Sequence, residues 1–237
     1  MLVFPRPLPP SGERVRMLKV GLTGGIASGK TMVGEMFVSL GAQLIQADRI
    51  GHALMQPGEP VYDEIVNHFG RGILNPDSTI NRARLAEAAF GSPDLHDQAR
   101  TSRVEELNRI VHPAVIRKQD EWMQQVGIDD PRAVAIVEAA LILEAGAANH
   151  FDRLIVVTCT PGQRVTRFAA RQKIDIQAAE KEVARRMAAQ LPDEQKVKAA
   201  DYVIDNSDSP ERTHEQVERV WKQLTAEAAE RPHPAIT

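Results

Sequence analysis

Leu18-Lys19-Val20-Gly21-Leu22-Thr23-Gly24-Gly25-Ile26-Ala27-Ser28-Gly29-Lys30-Thr31 is the stretch that decides the fold. Its first six residues read as a short apolar strand. A glycine-rich turn follows, and from about Lys30 to Leu40 the residues Val33, Met36, Phe37 and Leu40 recur on one helix face. Gly24 to Thr31 fits G-x-x-x-x-G-K-[ST], the phosphate-binding loop. Glycines let the backbone curl so that successive amide hydrogens point into one hollow, and the helix opening at Lys30 adds the positive end of its dipole. Four fixed positions recur by chance in about one chain of this size in a hundred. Here, however, the motif follows a strand and opens a helix, which is the context it requires.

Working outward, Gly41 caps the helix, and Ala42 to Ala47 form a second strand that delivers Asp48 at its end. From Arg49 to about Asp130 the pattern turns helical and more polar, with helices predicted at 61–69, 82–90 and 92–126. Pro113 is expected to kink or divide the last of these, because it lacks an amide hydrogen. Strands resume at Ala133–Val137, ending in Glu138, and at Arg153–Cys159. Helical stretches follow at 161–172 and 176–190, then a short strand Tyr202–Ile204 and a helix from about Pro210 to Ala229. Near-continuous apolar strands of this kind predict a parallel sheet covered on both faces. The expected organisation is α/β. A nucleotide-binding core takes 17–48, 131–160 and 191–230, a helical substrate domain 49–130 and a small helical lid 161–190. Residues 1–16 hold four prolines and no periodicity and are expected to be disordered, as is a tail at 231–237. Met17, directly before the first strand, reads as the natural translation start.

Composition removes several classes. The 237 residues carry a formal charge of -3, too near neutral for a polyanion-binding surface, so no nucleic acid partner is expected. Aromatics are only 4%, which leaves the core to Leu, Ile, Val and Ala. No apolar run approaches bilayer length, and the start is no signal peptide, so a cytoplasmic protein without a membrane partner is expected. The one cysteine, Cys159, reads as a small apolar residue closing a strand.

In the loop and the opening turn of its helix, Gly25, Ala27, Ser28, Gly29, Lys30, Thr31 and Met32 are expected to hold the nucleotide, with Lys30 bridging the β- and γ-phosphates and Thr31 on Mg²⁺. Glu138, at a strand end, is the candidate second group on the metal; a solvated strand end is its alternative. Asp48 lies at the strand edge where open α/β sheets bind ligands. It could accept a proton from an attacking hydroxyl, or simply cap the following helix. Arg164, Arg167 and Arg171 share one face of the expected lid, where they would neutralise a transferring phosphoryl group. Arg185 and Arg186 are weaker candidates, Glu144 reads as structural, and His112 is ambiguous. Gln172-Lys173-Ile174-Asp175 lacks the Asn of a guanine-reading motif, and Asp48-Arg49-Ile50-Gly51 is too short to carry weight. The loop by itself leaves kinases, GTPases and motor ATPases open.

Read together, these features resemble the dephospho-coenzyme A kinase family. The resemblance runs from Leu18 to about Val220. It rests on Gly21 to Thr31, Ala47-Asp48, Pro57-Gly58, Ile80-Asn81-Arg82 with Leu85 and Phe90, and Leu107-Asn108 with His112-Pro113. Beyond these come Glu138 to Glu144, Arg167, Arg171, Arg186, Gln190, Lys198 and Ala200 to Asn206. It implies a P-loop kinase fold of the nucleoside-monophosphate-kinase type, with a five-stranded parallel sheet, a helical domain for the coenzyme A precursor and a lid. It also implies transfer of the ATP γ-phosphoryl group to the ribose 3′-hydroxyl of dephospho-coenzyme A, with Asp48 in the place of the base and Asn206 in the turn bordering adenine. Another small-molecule kinase on this fold, or a nucleotide-binding switch without transfer, are the alternatives. Three positions depart from the family: Ala27 for Gly, Gln46 for Asp and Ala140 for Pro. Ala27 is tolerable if its φ is negative. Gln46 removes a negative charge near Asp48, which bears on how Mg²⁺ is held, and Ala140 removes a rigid turn.

Overall fold

A computed structural model describes residues 17–90 and 101–231. The expectations for residues 1–16 and 232–237, and for the 92–100 part of the helix expected at 92–126, lie outside the described residues. Arg231, assigned to the tail by the sequence, is anchored: its guanidinium donates to the Met17 carbonyl at 3.2 Å and pairs with Asp152 at 3.0 Å.

The chain forms two compact units. One combines the residues up to Ile45 with those from Met123 onward, and the other is Gln46–Trp122. The first holds a five-stranded parallel sheet in the order β2-β3-β1-β4-β5. Its strands are β1 (Leu18–Gly24), β2 (Gln43–Gln46), β3 (Val134–Glu138), β4 (Arg153–Thr158) and β5 (Tyr202–Asp205). β1 is central and parallel to both β3 and β4. All five residues of β3 are buried, and only Lys19 of β1 is not fully so, as expected of strands covered on both faces. The chain passes from β1 out to β2, back through β3, and across β1 to β4. That reversal of strand order beside β1 makes its carboxyl edge the crevice where open α/β sheets bind ligands.

Helix α1 (Lys30–Ser39) buries Val33, Gly34 and Phe37. It ends in a Schellman motif: Ala42 N–H donates to Phe37 O and Gly41 N–H to Val38 O, both at 3.0 Å, with Gly41 at φ +113°. A glycine takes that conformation without steric penalty. The core of this unit joins Leu18, Val20, Leu22, Ile136, Ile155 and Val157 of the sheet to Val33 and Phe37 of α1. It is completed by Val217, Val220 and Leu224 of the last helix, Pro210–Glu230, called α9 below.

The second unit contains α2 (Ala47–Leu54), α3 (Pro60–Phe69), α4 (Arg82–Phe90) and most of α5 (Thr101–Asp129). It has no strand among the described residues beyond one antiparallel bridge, Leu74 with Ile80. Asn81 Nδ2 donates to Asn75 Oδ1 at 2.8 Å, and the Tyr62 hydroxyl donates to Ser78 O, so side chains fix the turn around that bridge. Of the two outcomes expected at Pro113, a kink or a division, α5 is not divided: the helix continues on both sides of it. One missing amide removes one of the many bonds in a 29-residue helix, and the remaining turns carry it through.

After β4 come α6 (Pro161–Gln172), α7 (Ile176–Ala188) and α8 (Asp193–Ala199). Thr160 and Gln163 form a reciprocal capping box at the start of α6, which fixes the direction in which that helix leaves the sheet. Sequence reading missed α8, because its one buried residue is a lysine. Lys196 is fully buried, and its ammonium pairs with Glu144 at 2.7 Å while Leu191 N–H donates to the same carboxylate oxygen at 3.0 Å. Glu144 is thus structural, tying the turn after β3 to the entry of α8. Replacing Lys196 by Met would leave that carboxylate buried without its cation. Lys196→Met is therefore expected to destabilise the fold by about 3 kcal/mol, read as a lower urea midpoint at unchanged m. A change under about 1 kcal/mol would show that the pair contributes little.

Candidate nucleotide-binding site

The phosphate loop stands between β1 and α1 at the central strand's carboxyl edge. Ser28 N–H turns back to Gly25 O at 3.3 Å, and Val33 N–H to Gly29 O at 3.1 Å begins the helix. Residues Gly25, Ile26 and Ser28 are buried, Ala27, Gly29, Lys30 and Met32 half-buried, and Thr31 exposed. Lys30 lies back along its own loop, where Nζ donates to Gly24 O at 2.9 Å and Gly25 O at 3.1 Å.

Ala27 corrects one expectation. Its φ is +53°, in the left-handed region, so the condition set for tolerating it is not met. An L-residue there costs about 1–2 kcal/mol. The methyl group returns part of this by packing against the cluster of Ile26, Phe168, Ala179 and Val183. The family's glycine at this position is the conformationally free choice; this chain exchanges freedom for an apolar contact beneath the loop.

Glu138 comes to the loop through the sheet register. It pairs across from Leu22, two residues before β1 ends, and its buried carboxylate accepts the Thr31 hydroxyl at 2.8 Å. A hydroxyl and a carboxylate held together are hard oxygen donors of the kind Mg²⁺ takes alongside water and phosphate oxygens. No group of three or more His, Cys, Asp or Glu side chains that could hold a metal occurs among the described residues. Thr31 and Glu138 together offer such oxygen donors beside the phosphate loop.

The arginines separate into two groups. Arg164 is fully buried, and its guanidinium lies against Gly25 while pairing with Asp193; its Nε and Nη1 have no hydrogen-bond partner among the described residues. Arg167 donates through Nη1 to Ser28 O at 3.4 Å and through Nη2 to Asn206 O at 3.0 Å. Arg171 stands elsewhere, 5.6 Å above the Phe168 ring, with Arg186 over the same ring at 5.2 Å. Arg185 and Arg186 both pair with Glu182, and the hydrogen bond from Arg185, then that from Arg186, holds its carboxyl down at about 2. Those two charges are spent within the α6–α7 pair.

Asn206 side chain is buried, and its Nδ2 donates to Ser28 O at 2.8 Å, so it is tied to the loop. Cys159 is also buried here, its thiol 3.8 Å from Ala27 O and pushed upward by burial. In the second unit Asp48 lies in the first turn of α2, two residues past β2, and is exposed. The cap of that helix is Gln46, whose side chain makes no cap bond, so Asp48 is not the helix cap. His112 lies on α5, with its imidazole pushed down by burial. Sequence reading missed Asp193 and Thr213. Thr213 left one trace, a polar residue at the first inward position of a helix whose later inward positions, Val217, Val220 and Leu224, are apolar.

A phosphate loop at the central strand, a carboxylate delivered to its threonine by the neighbouring strand, and arginines from the helix after β4 define a P-loop kinase. The sequence profile described as dephospho-CoA kinase matches residues 18–211. A dephospho-CoA kinase of Aquifex aeolicus (strain VF5) is 37% identical over 209 residues, 88% of this chain and 98% of the relative. One of Geobacter metallireducens is 38% identical over 207 residues, covering 87% and 96%. A solved structure from Thermus thermophilus superposes with a TM-score of 0.71 over 88% of this chain and 98% of its own; at 24% identity it speaks for the fold alone. The chain belongs to the dephospho-CoA kinase family.

Proposed function

We propose that the chain transfers the γ-phosphoryl group of ATP to the ribose 3′-hydroxyl of dephospho-coenzyme A, giving coenzyme A and ADP. The observation that carries this reading is the extent of the likeness. The match to the Aquifex aeolicus kinase takes in 98% of that protein, so it includes the helical unit as well as the phosphate loop that many nucleotide-binding proteins share.

In this reading the loop amides and Lys30 hold the β- and γ-phosphates, with Lys30 exchanging its contacts to Gly24 O and Gly25 O for phosphate oxygens. Thr31 and Glu138 would hold Mg²⁺, which when bound supplies positive charge to the phosphates. The 3′-oxygen attacks the γ-phosphorus in line, the bond from that phosphorus to the βγ-bridging oxygen breaks, and ADP leaves. Asp48 takes the hydroxyl proton. Arg164 and Arg167, already at the loop, contact phosphate oxygens. Arg171 joins them if the 161–190 lid moves, and closure excludes water that would otherwise hydrolyse ATP. Residues 49–130 bind the acceptor. No described helix is long and apolar enough to cross a membrane, and we place the reaction in the cytoplasm, with no nucleic acid or membrane partner.

A coupled ADP-release assay over a panel of acceptors tests this. ADP release should depend on dephospho-coenzyme A. Release with a different hydroxyl acceptor alone would mean another small-molecule kinase on this fold. ATP binding without acceptor-dependent release from any compound would mean a switch.

A further inference from the structure

We infer that Thr213, on α9, is a positioning residue for the phosphate loop, acting through Asn206. The inference rests on reading the loop as the ATP site and deepens it. Ser28 O receives two side-chain donors, Asn206 Nδ2 at 2.8 Å and Arg167 Nη1 at 3.4 Å. In a planar trans peptide the carbonyl and the following N–H point in opposite directions. Holding Ser28 O on the Asn206 side therefore turns the Gly29 N–H the other way, to the side of the loop that takes phosphate.

That hold works only if Asn206 presents its nitrogen. A carboxamide can rotate, and its oxygen facing Ser28 O would repel it. Thr213 fixes the choice: its hydroxyl lies 3.1 Å from Asn206 Oδ1, which only a donor stabilises. Ser209 O, at 3.2 Å in the preceding turn, competes for the same proton. Asn206 is placed in turn by its own backbone, with N–H donating to Thr158 O at 2.9 Å and the carbonyl accepting Arg167 Nη2 at 3.0 Å. Asn206 and Thr213 are both buried, so water does not replace either partner at no cost. The motif's last glycine belongs to the same device. Gly29 has φ +97°, and a side chain there would run into the Asn206 amide. Chain segments 178 residues apart thus share one constraint, with α9 setting the direction of a loop amide at β1.

Thr213→Val keeps the shape and removes the donor. ADP affinity, measured by calorimetry without acceptor, is expected to fall about tenfold, and KM for ATP to rise by a similar factor with KM for dephospho-coenzyme A unchanged. Thr213→Ser, which keeps the hydroxyl, should stay within about twofold of wild type. Asn206→Asp tests the arrangement independently, because a carboxylate cannot donate to Ser28 O; it should lose at least tenfold in ADP affinity. Unchanged ADP affinity in either folded variant overturns the inference, as does an equal loss in Thr213→Ser. Failure of the wild-type protein to bind ADP would instead remove the ATP site itself.

Discussion

Lys30→Ala is expected to lower kcat/KM for ATP by about a thousandfold. In the folded protein the Lys30 ammonium is held at the mouth of its own loop by Gly24 O and Gly25 O, so it is placed before nucleotide arrives. In the proposed reaction its charge would meet phosphate oxygens whose negative charge shifts during transfer, and such preorganised groups act more strongly on the transition state than on bound substrate. Removing a single neutral donor at a comparable site costs about 10²–10³, and a full charge belongs at the upper end. The loss should fall mostly on kcat. Part will appear in ADP binding, which calorimetry measures separately. Stability is read separately from the urea midpoint, so that a loss of fold is not taken for a loss of catalysis. A variant retaining more than about a tenth of wild-type kcat/KM would contradict the assignment.

Asp48→Asn is the second large effect, with kcat expected to fall by about 10²–10⁴, the usual worth of a positioned acid or base. Asn keeps the size and an acceptor oxygen but cannot take the proton of the attacking hydroxyl. Asp48 lies in the first turn of α2, is exposed, and is not the cap of that helix, so the substitution leaves the local hydrogen bonding intact. The loss should appear in kcat with KM for both substrates nearly unchanged. Turnover near the wild-type value would remove the base assignment and leave the kinase reading standing.

Much of the fold was legible because its signals are local. Five short apolar runs, one glycine-rich turn and the periodicity of α1 and α9 need no tertiary information. The errors arose where a distant contact decides. Lys196 hides α8 from a hydrophobic pattern, since the residue that helix buries is a cation whose partner, Glu144, lies on another segment. Pro113 leaves a kink or a break open in isolation, and α5 runs through it undivided. At the site, Lys30, Thr31 and Glu138 could be chosen from motif and strand ends, and the sheet register brings Thr31 and Glu138 to 2.8 Å. The positive φ of Ala27 could not be read, because the loop's path depends on what packs beneath it. The side-chain bond of Asn206 to Ser28 O was equally hidden, being fixed by a helix that begins after it.

The most direct measurement is the structure of the product. Wild-type protein incubated with ATP, Mg²⁺ and dephospho-coenzyme A should form one new compound, identified by mass and phosphorus NMR as coenzyme A, with the added phosphomonoester on the ribose 3′-oxygen. ADP should accumulate in equal amount. A phosphate found on any other hydroxyl, or ADP formed without a phosphorylated acceptor, would contradict the account.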